Sequence, residues 1–405
     1  MEQTIPPEDR PAADQVFRRK VFYIPGYDPI HPRRYRELYR KEGATQARIT
    51  GYDLALSPRK GTGPYGWRVA TTIGQRTEAE VEVLVWSDLV RSSMQQGIPA
   101  TYLQLVRTAW AYIGSGALLR LMRLRKGPMI AALYPIGLLI LELLLALLAA
   151  AGLYRLGALI HTALGAGLGL AAIPLILQLF RRHDNRVFAY YLMHDYAYSA
   201  QSRGANPPEL EARMADFAAR IRAALTGCDE VLVVGHSSGA HLAISILSDM
   251  IRAGLPAGHP ALALLTLGQV VPMVSFLPKA TRLRRDLAYL SARAEITWID
   301  VTAPGDGCAF ALCDPVAVTG VAPDGKRWPL VISAAFTQTL SPERWKALRW
   351  RFFRLHFQYL CAFDRPGDYD YFQITAGPRT LADRYRNRAP SKSRIETPLS
   401  PWRST

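Results

Sequence analysis

The chain has 405 residues, of which 49% are hydrophobic and 20% are charged, a composition that excludes a disordered protein. The excess of 49 Lys and Arg over 33 Asp and Glu gives a formal net charge of +16, which by itself would suit nucleic-acid binding. However, the mean hydropathy of +0.02 is high for so charged a chain, so the apolar residues must be concentrated in part of the sequence. We therefore expect a lipid bilayer as partner and no nucleic acid.

The cysteines are few and scattered. None of the 4 forms the CxxC spacing of a zinc site, and their number is too low for a disulfide framework. We interpret them as buried thiols and expect no bound metal; they are Cys228, Cys308, Cys313 and Cys361.

The N-terminal part predicts a tail followed by strands. Residues 1–17 are polar and aperiodic, and we interpret them as a disordered tail. We expect residues 18–100 to form the first part of the main domain, with strands at Val21–Ile24 and Val81–Trp86. A hairpin is expected around Lys60–Gly63, because paired glycines there favour a turn.

Residues 101–127 mix aromatic residues, leucines and arginines. This composition is typical of an amphipathic helix at a membrane surface. A soluble helix packed on the domain is the alternative.

Residues 128–181 predict a transmembrane helical hairpin. Met129–Leu153 and Leu156–Phe180 are each long enough, at about 1.5 Å per residue, to cross a hydrocarbon core of roughly 30 Å. The turn is placed at Tyr154 and Arg155. A pair of buried helices in a large soluble core is the alternative interpretation.

Basic residues flank both spans, and the turn holds only Arg155. The positive-inside rule therefore predicts that both flanks, both termini and the main domain are cytoplasmic. The preference for arginine over lysine suggests a GC-rich genome and thus a bacterial inner membrane. The flanking residues are Arg120, Arg123, Arg125, Lys126, Arg181, Arg182 and Arg186.

Residues 182–386 predict the second part of the domain, and residues 387–405 a disordered C-terminal tail. A helix beginning near Asn206 is followed by a buried strand at Glu230–Val234. Alternating helices and apolar strands predict an α/β fold with a mostly parallel sheet covered by helices on both faces. Further strands are expected at Ala263–Leu267, Ile296–Val301 and Leu330–Ser333.

The sequence Gly235-His236-Ser237-Ser238-Gly239 lies between the strand at Glu230 and an apolar helix. Strand, GxSxG and helix together favour a nucleophile elbow, in which glycines permit a sharp turn and the serine oxygen is exposed. Ser237 is therefore the candidate nucleophile. An ordinary strand-to-helix loop is the alternative.

With this elbow the chain resembles the α/β-hydrolase superfamily, particularly the GHSxG lipases and esterases. The resemblance covers about residues 18–95 and 187–385, and is sharpest at the elbow. It implies a serine nucleophile followed along the chain by an acid and then a histidine.

Three histidines follow Ser237. His241 lies one turn into the elbow helix, and His259 precedes any suitable acid strand, so His356 is the candidate base. Its alternative role is a structural histidine on an aromatic-rich helix predicted at Trp345–Tyr359.

The acid is expected just beyond the strand Ile296–Val301. Asp306 occupies a Pro-Gly-Asp-Gly turn there and is the first candidate, with Asp314 the second and Asp300 placed within the strand. An ordinary solvated turn aspartate is the alternative for each.

The oxyanion hole requires two backbone N–H groups. We expect one from Ser238 and the other from Tyr27, with Gly26 permitting close approach. This pattern departs from the His-Gly and HGGG motifs of many lipases.

The sequence thus predicts a membrane-anchored serine hydrolase that cleaves an ester or thioester of a lipid-like or amphiphilic acyl substrate, without metal or organic cofactor. Two alternatives stay open: an acyltransferase with the same triad, and a catalytically silent hydrolase fold that serves as a membrane scaffold.

Overall fold

A mostly parallel sheet organises the chain. The computed structural model describes residues 16–59 and 63–405. Within these residues eight strands lie in the order β2-β3-β4-β1-β5-β6-β7-β8, antiparallel from β2 to β4 and parallel from β4 to β8. The strands are β1 Phe17–Ile24, β2 Asp53–Pro58, β3 Gly66–Ile73, β4 Gln75–Val83, β5 Glu230–His236, β6 Ala261–Leu267, β7 Thr297–Thr302 and β8 Leu330–Ser333.

Helices surround this sheet and also form a separate apolar pair. Those before β5 are α1 Arg33–Thr50, α2 Ser87–Met94, α3 Ile98–Gly114, α4 Ala117–Leu124, α5 Lys126–Ala158, α6 Thr162–Arg182, α7 Asp184–Val187, α8 Ala189–Ala200 and α9 Pro208–Ala223. Those after it are α10 Gly239–Arg252, α11 Val271–Ser275, α12 Thr281–Ser291, α13 Pro315–Thr319, α14 Phe336–Thr339, α15 Pro342–Leu348, α16 Phe352–His356, α17 Tyr371–Ala376 and α18 Leu381–Tyr385, with a 3₁₀ turn at Gln358–Leu360.

Both faces of the sheet are covered, as the apolar strands predict. Along β5, Val231 and Val233 join a core with helices α9, α10 and α12, whereas Leu232 and Val234 join a second core with α1 and the segment after β8. Successive strand residues point to opposite faces, so a strand without polar alternation must be buried on both sides. The predicted α/β class is therefore confirmed.

The two strands that flank the predicted hairpin near residue 60 are present and pair with each other. β2 and β3 pair antiparallel from Asp53↔Thr72 to Pro58↔Trp67. Of the expected turn residues, 60–62 lie outside the described residues, as do residues 1–15 of the predicted N-terminal tail.

Helices α5 and α6 are long and apolar enough to span a membrane. They pack closely because Gly165 and Gly169 bring α6 against the α5 backbone: a Cβ on Gly165 would lie 2.5 Å from the Tyr154 carbonyl oxygen, and one on Gly169 would lie 3.0 Å from that of Ala150. Most of their surface faces outward, since only 22% of the most apolar stretch of each helix is buried. A soluble core helix would be mostly buried, so this exposure argues against that alternative.

The predicted turn at Tyr154 and Arg155 is wrong. Helix α5 continues to Ala158, and the turn comprises residues 159–161, where the His161 side chain caps α6. A polar Tyr-Arg pair suggested a turn, but long side chains near a helix end can extend their polar groups away from an apolar environment without interrupting the helix.

The segment between the first strands and the hairpin consists of two helices, α3 and α4. One face of α3 is buried, and α3 packs beside α8. Its opposite face exposes an apolar stripe at helical spacing, in which Trp110 is 75% exposed. We call this stripe the α3 stripe; it comprises Leu103, Val106, Trp110 and Ile113.

The predicted disordered tail at 387–405 is also wrong, because this segment packs on the domain. Ile395 bridges to Cys313, its N–H donates to the Leu312 carbonyl at 2.7 Å, and its own carbonyl accepts from Asp314 N at 2.9 Å. Farther along, Arg284 Nε donates to the Ser404 carbonyl at 2.6 Å. The polar composition concealed these contacts because they involve mainly backbone groups.

Candidate active site

Ser237 occupies a strained turn between β5 and α10. Its φ is +57°, a left-handed conformation that non-glycine residues rarely adopt. The turn is held by the Ser237 N–H, which donates to the Leu267 carbonyl at 2.9 Å. Within the described residues the Ser237 hydroxyl makes no hydrogen bond, so its oxygen is available to an incoming group.

Both glycines of the elbow are required by close packing. A Cβ on Gly239 would lie 2.2 Å from the Ile24 carbonyl oxygen, and a Cβ on Gly235 would lie 2.7 Å from Ala240 Cα. Gly26 approaches the serine itself, since a Cβ there would lie 2.9 Å from Ser237 Cβ. The end of β1 therefore lies directly over the elbow.

His356 and Asp306 are hydrogen-bonded. His356 Nδ1 lies 2.7 Å from Asp306 Oδ2, and both residues are buried. The carboxylate also accepts from Tyr359 OH at 3.0 Å and from the Cys308 N–H at 2.9 Å. When Nδ1 donates to Asp306, the neutral imidazole leaves Nε2 free to accept a proton.

The electrostatics keep Asp306 ionised. Burial raises the pKa of Asp306, but the imidazole of His356 and the hydrogen bonds from His356, Cys308 and Tyr359 lower it more, so its pKa lies below the usual aspartate value. Burial raises the pKa of Tyr359, which therefore stays protonated as a donor. Asp306 is thus a fixed negative charge against the imidazole.

The turn after β6 contacts both Ser237 and His356. Leu267 accepts from Ser237, and a Cβ on the next residue, Gly268, would lie 3.1 Å from His356 Cε1. His236, next to the serine, has its ring centroid 4.9 Å from that of His356. The carboxyl ends of β5, β6 and β7 thus bring the three predicted residues to one edge of the sheet.

His236 has a structural role at this edge. Burial and the neighbouring His356 lower the pKa of His236 to about 3, so its ring is neutral. Its Nε2 lies 3.0 Å from the His356 carbonyl oxygen and donates to it. This contact fixes the backbone that carries His356.

The two expected oxyanion donors also lie at the elbow. The Tyr27 N–H donates to Ser238 Oγ at 2.8 Å. The Ser238 N–H makes no hydrogen bond within residues 16–59 and 63–405. An oxyanion could therefore bind Ser238 directly, but at Tyr27 it must replace the Ser238 hydroxyl.

The competing acids and histidines lie elsewhere. Asp314 caps α13 and forms an ion pair with Lys326 at 2.6 Å, whereas Asp300 lies inside β7 and accepts from the Thr266 hydroxyl at 2.6 Å. His241 is buried in α10, and His259 contacts the Pro260 carbonyl. None of these four residues contacts the His356–Asp306 pair.

One local expectation about His356 is wrong. The helix predicted at Trp345–Tyr359 is broken into α15, α16 and a 3₁₀ turn, because the chain turns at Trp350 and Arg351. This break places His356 at the end of a short helix and brings Tyr359 back to Asp306. No sequence motif marked Tyr359, and its role depends on that break.

Cys308 adds a thiol to the same cluster. Possible ligand atoms of Asp306, Cys308 and His356 all lie within 4.8 Å of one another, which is compatible with a metal ion. However, Asp306 Oδ2 and His356 Nδ1 are only 2.7 Å apart, a hydrogen-bond distance. Two ligands of a tetrahedral zinc, each about 2.0–2.2 Å from the ion, would lie farther apart.

Comparisons with protein-family models, with curated proteins and with solved structures give no match to this chain.

Proposed function

We propose that the protein is a membrane-anchored serine hydrolase of the α/β-hydrolase type that cleaves a carboxylic ester or thioester. The observation that carries the proposal is the buried His356–Asp306 hydrogen bond at the sheet edge where Ser237 is held at a positive φ. Strained serine elbows and oriented imidazoles recur where a hydroxyl must be activated as a nucleophile.

In the proposed mechanism, Ser237 Oγ attacks the acyl carbonyl carbon while its proton passes to His356 Nε2. The tetrahedral oxyanion binds the N–H groups of Tyr27 and Ser238, and Asp306 stabilises the imidazolium. Collapse breaks the bond to the alcohol or thiol, which takes the proton from His356. Water then attacks the acyl-enzyme with His356 again as base, which releases the acid and restores Ser237.

Location at a membrane supports an amphiphilic substrate. The α5–α6 hairpin and the exposed α3 stripe both present apolar surface, and α8 connects them to the site, since it packs against α3 and α5 and its Tyr191 hydroxyl donates to the Tyr27 carbonyl. Helix α5, at about 1.5 Å per residue, is longer than a hydrocarbon core, and its first turns pack on the domain through Met129 and Leu139. The bilayer would then lie next to the α3–α8 layer.

The test is covalent labelling with a fluorophosphonate probe. Wild-type protein should be labelled, and Ser237→Ala should lose the label, because the probe reports an activated serine hydroxyl. The matched control is Ser92→Ala, an exposed serine on α2, which should be labelled like the wild type. Equal labelling of Ser237→Ala and wild type would reject the nucleophile, and absence of labelling in folded wild type would favour the silent scaffold.

A further inference from the structure

A narrow cavity beside the elbow contains an unpaired carboxylate. Its wall includes Tyr27 and Ser238, the two proposed oxyanion residues, together with Asp195 of α8. Within residues 16–59 and 63–405 Asp195 makes no hydrogen bond and no salt bridge. This is unusual in a chain with a net charge of +16, where a basic partner would be easy to supply.

The cavity wall also contains three aromatic rings, and two of its lining side chains carry buried polar atoms without partners. The rings of Tyr27, Trp86 and Tyr198 lie with centroids 5.7–6.1 Å apart. Tyr198 OH and His241 Nδ1 are buried without a hydrogen-bond partner. Burial lowers the pKa of His241 to about 4, so its imidazole is neutral and one ring nitrogen can accept a hydrogen bond.

The cavity differs from an acyl-chain site in size and chemistry. Its enclosed part has room for only about one or two water molecules. A hydrocarbon chain there would leave the carboxylate and the other polar groups without partners, which is unfavourable. A small group with several hydrogen-bond donors would satisfy them.

The charge of Asp195 favours a cation over a neutral hydroxyl as the group that binds in this cavity. Burial raises the pKa of Asp195 to about 7, and nearby His356 lowers it, so a large share of the carboxyl is ionised near neutral pH. A negative charge on the same cavity wall as Tyr27 and Ser238 opposes the oxyanion that those residues are proposed to bind. A hydroxyl would leave that charge in place, whereas an ammonium group neutralises it and is also attracted to the aromatic rings.

We propose that this cavity is a subsite for a primary ammonium group carried by the substrate close to the scissile bond, with Asp195 as its counter-ion. The inference rests on the proposed hydrolase function. It assigns the substrate class as an amine-bearing acyl ester or thioester, whose charge completes the site on binding.

The experiment compares butylammonium with butan-1-ol, an uncharged analogue of similar size, in a non-ionic detergent. Each compound is tested as an inhibitor of p-nitrophenyl butyrate hydrolysis and, separately, for its effect on the melting temperature. We expect butylammonium to inhibit wild-type protein at concentrations at least about tenfold lower than butan-1-ol, and to raise the melting temperature. In Asp195→Asn both preferences should disappear.

Asp216→Asn, which removes an exposed carboxylate of α9, is the matched control and should keep both preferences. Equal sensitivity of wild type to the two compounds, or a stronger effect of butan-1-ol, would overturn the ammonium assignment. The melting measurement needs no catalysis. A preference for butylammonium in melting, in a protein that neither hydrolyses the ester nor is labelled by fluorophosphonate at Ser237, would therefore reject the hydrolase and retain the subsite. Hydrolysis without the preference would reject the subsite and retain the hydrolase.

Discussion

At the scale of single residues, the contact between His356 and Asp306 predicts non-additive mutant effects. In the proposed mechanism Asp306 orients the imidazole that activates Ser237, so Asp306→Asn should lower kcat by about 10⁴-fold, and His356→Ala by at least as much. The double variant should be barely worse than His356→Ala, because the two residues act as one unit. Steady-state hydrolysis of p-nitrophenyl butyrate measures all three.

The control for this series is Asp300→Asn, which replaces another buried acid near the sheet edge without touching His356. It should keep most of the activity. Full activity in His356→Ala, or losses that multiply in the double variant, would contradict the assigned Ser-Asp-His order.

The candidate site was predictable where its residues depend on local sequence. The Ser237 elbow needs only a strand, two glycines and a helix, and Asp306 follows directly from the end of β7. Asp195 and Tyr359 were not predictable as site residues, because α8 and the segment after α16 reach the site through tertiary packing. Aspartate and tyrosine in such helices are ordinary by composition.

At the scale of elements, Asp300 gives strand β7 a pH-dependent stability. Burial raises the pKa of Asp300 to about 8, whereas an unfolded aspartate has a pKa of about 3.9. Between these values the folded chain retains a proton that the unfolded chain has lost, so rising pH destabilises the fold. Asp300→Asn should remove this contribution and gain stability relative to wild type by up to about 1.4 kcal/mol per pH unit across the window.

Thermal unfolding in detergent at pH 5, 6.5 and 8 would measure this difference. For the exposed Asp216→Asn, the difference in unfolding free energy from wild type should be nearly constant over the same pH range. A constant difference for Asp300→Asn as well would mean that Asp300 is ionised in the folded protein.

The buried strands β5 and β8 were predicted better than the turn of the hairpin for a physical reason, whereas the strand predicted at Val81–Trp86 is observed as β4 at Gln75–Val83. A buried strand is short and bounded by turn residues, so β5 and β8 were expected within two residues of their observed ends. A uniformly apolar stretch offers no such boundaries, and the turn between α5 and α6 is itself apolar at Leu159 and Ile160. The C-terminal segment was missed for the opposite reason, since its polar sequence packs through backbone contacts.

At the scale of the whole molecule, the sheet constrains the topology. β1 precedes the hairpin and β5 follows it, yet the two strands pair from Arg19↔Glu230 to Ile24↔Gly235. If α5 and α6 span a bilayer, both flanks must lie on one side of it. Because basic residues flank both helices, the positive-inside rule predicts that this side is the cytoplasm.

A cysteine-labelling experiment tests this topology. Ile160→Cys, in the exposed turn between α5 and α6, should react with an impermeant thiol reagent added on the side of the membrane opposite the domain. Ser393→Cys, in the exposed part of the C-terminal segment, should react only after permeabilisation. The unsubstituted chain supplies the background, and labelling of position 393 in sealed spheroplasts would contradict the orientation.

The pairing of β1 with β5 also has a consequence for biosynthesis. The ribosome makes residues 84–229 after β4 and before β5, which takes roughly 7–30 s at usual elongation rates. During that interval β1, which ends in the apolar run Val21–Ile24, has an open edge that can pair with another nascent chain. Slow translation through the insertion should therefore promote aggregation, however stable the finished protein is.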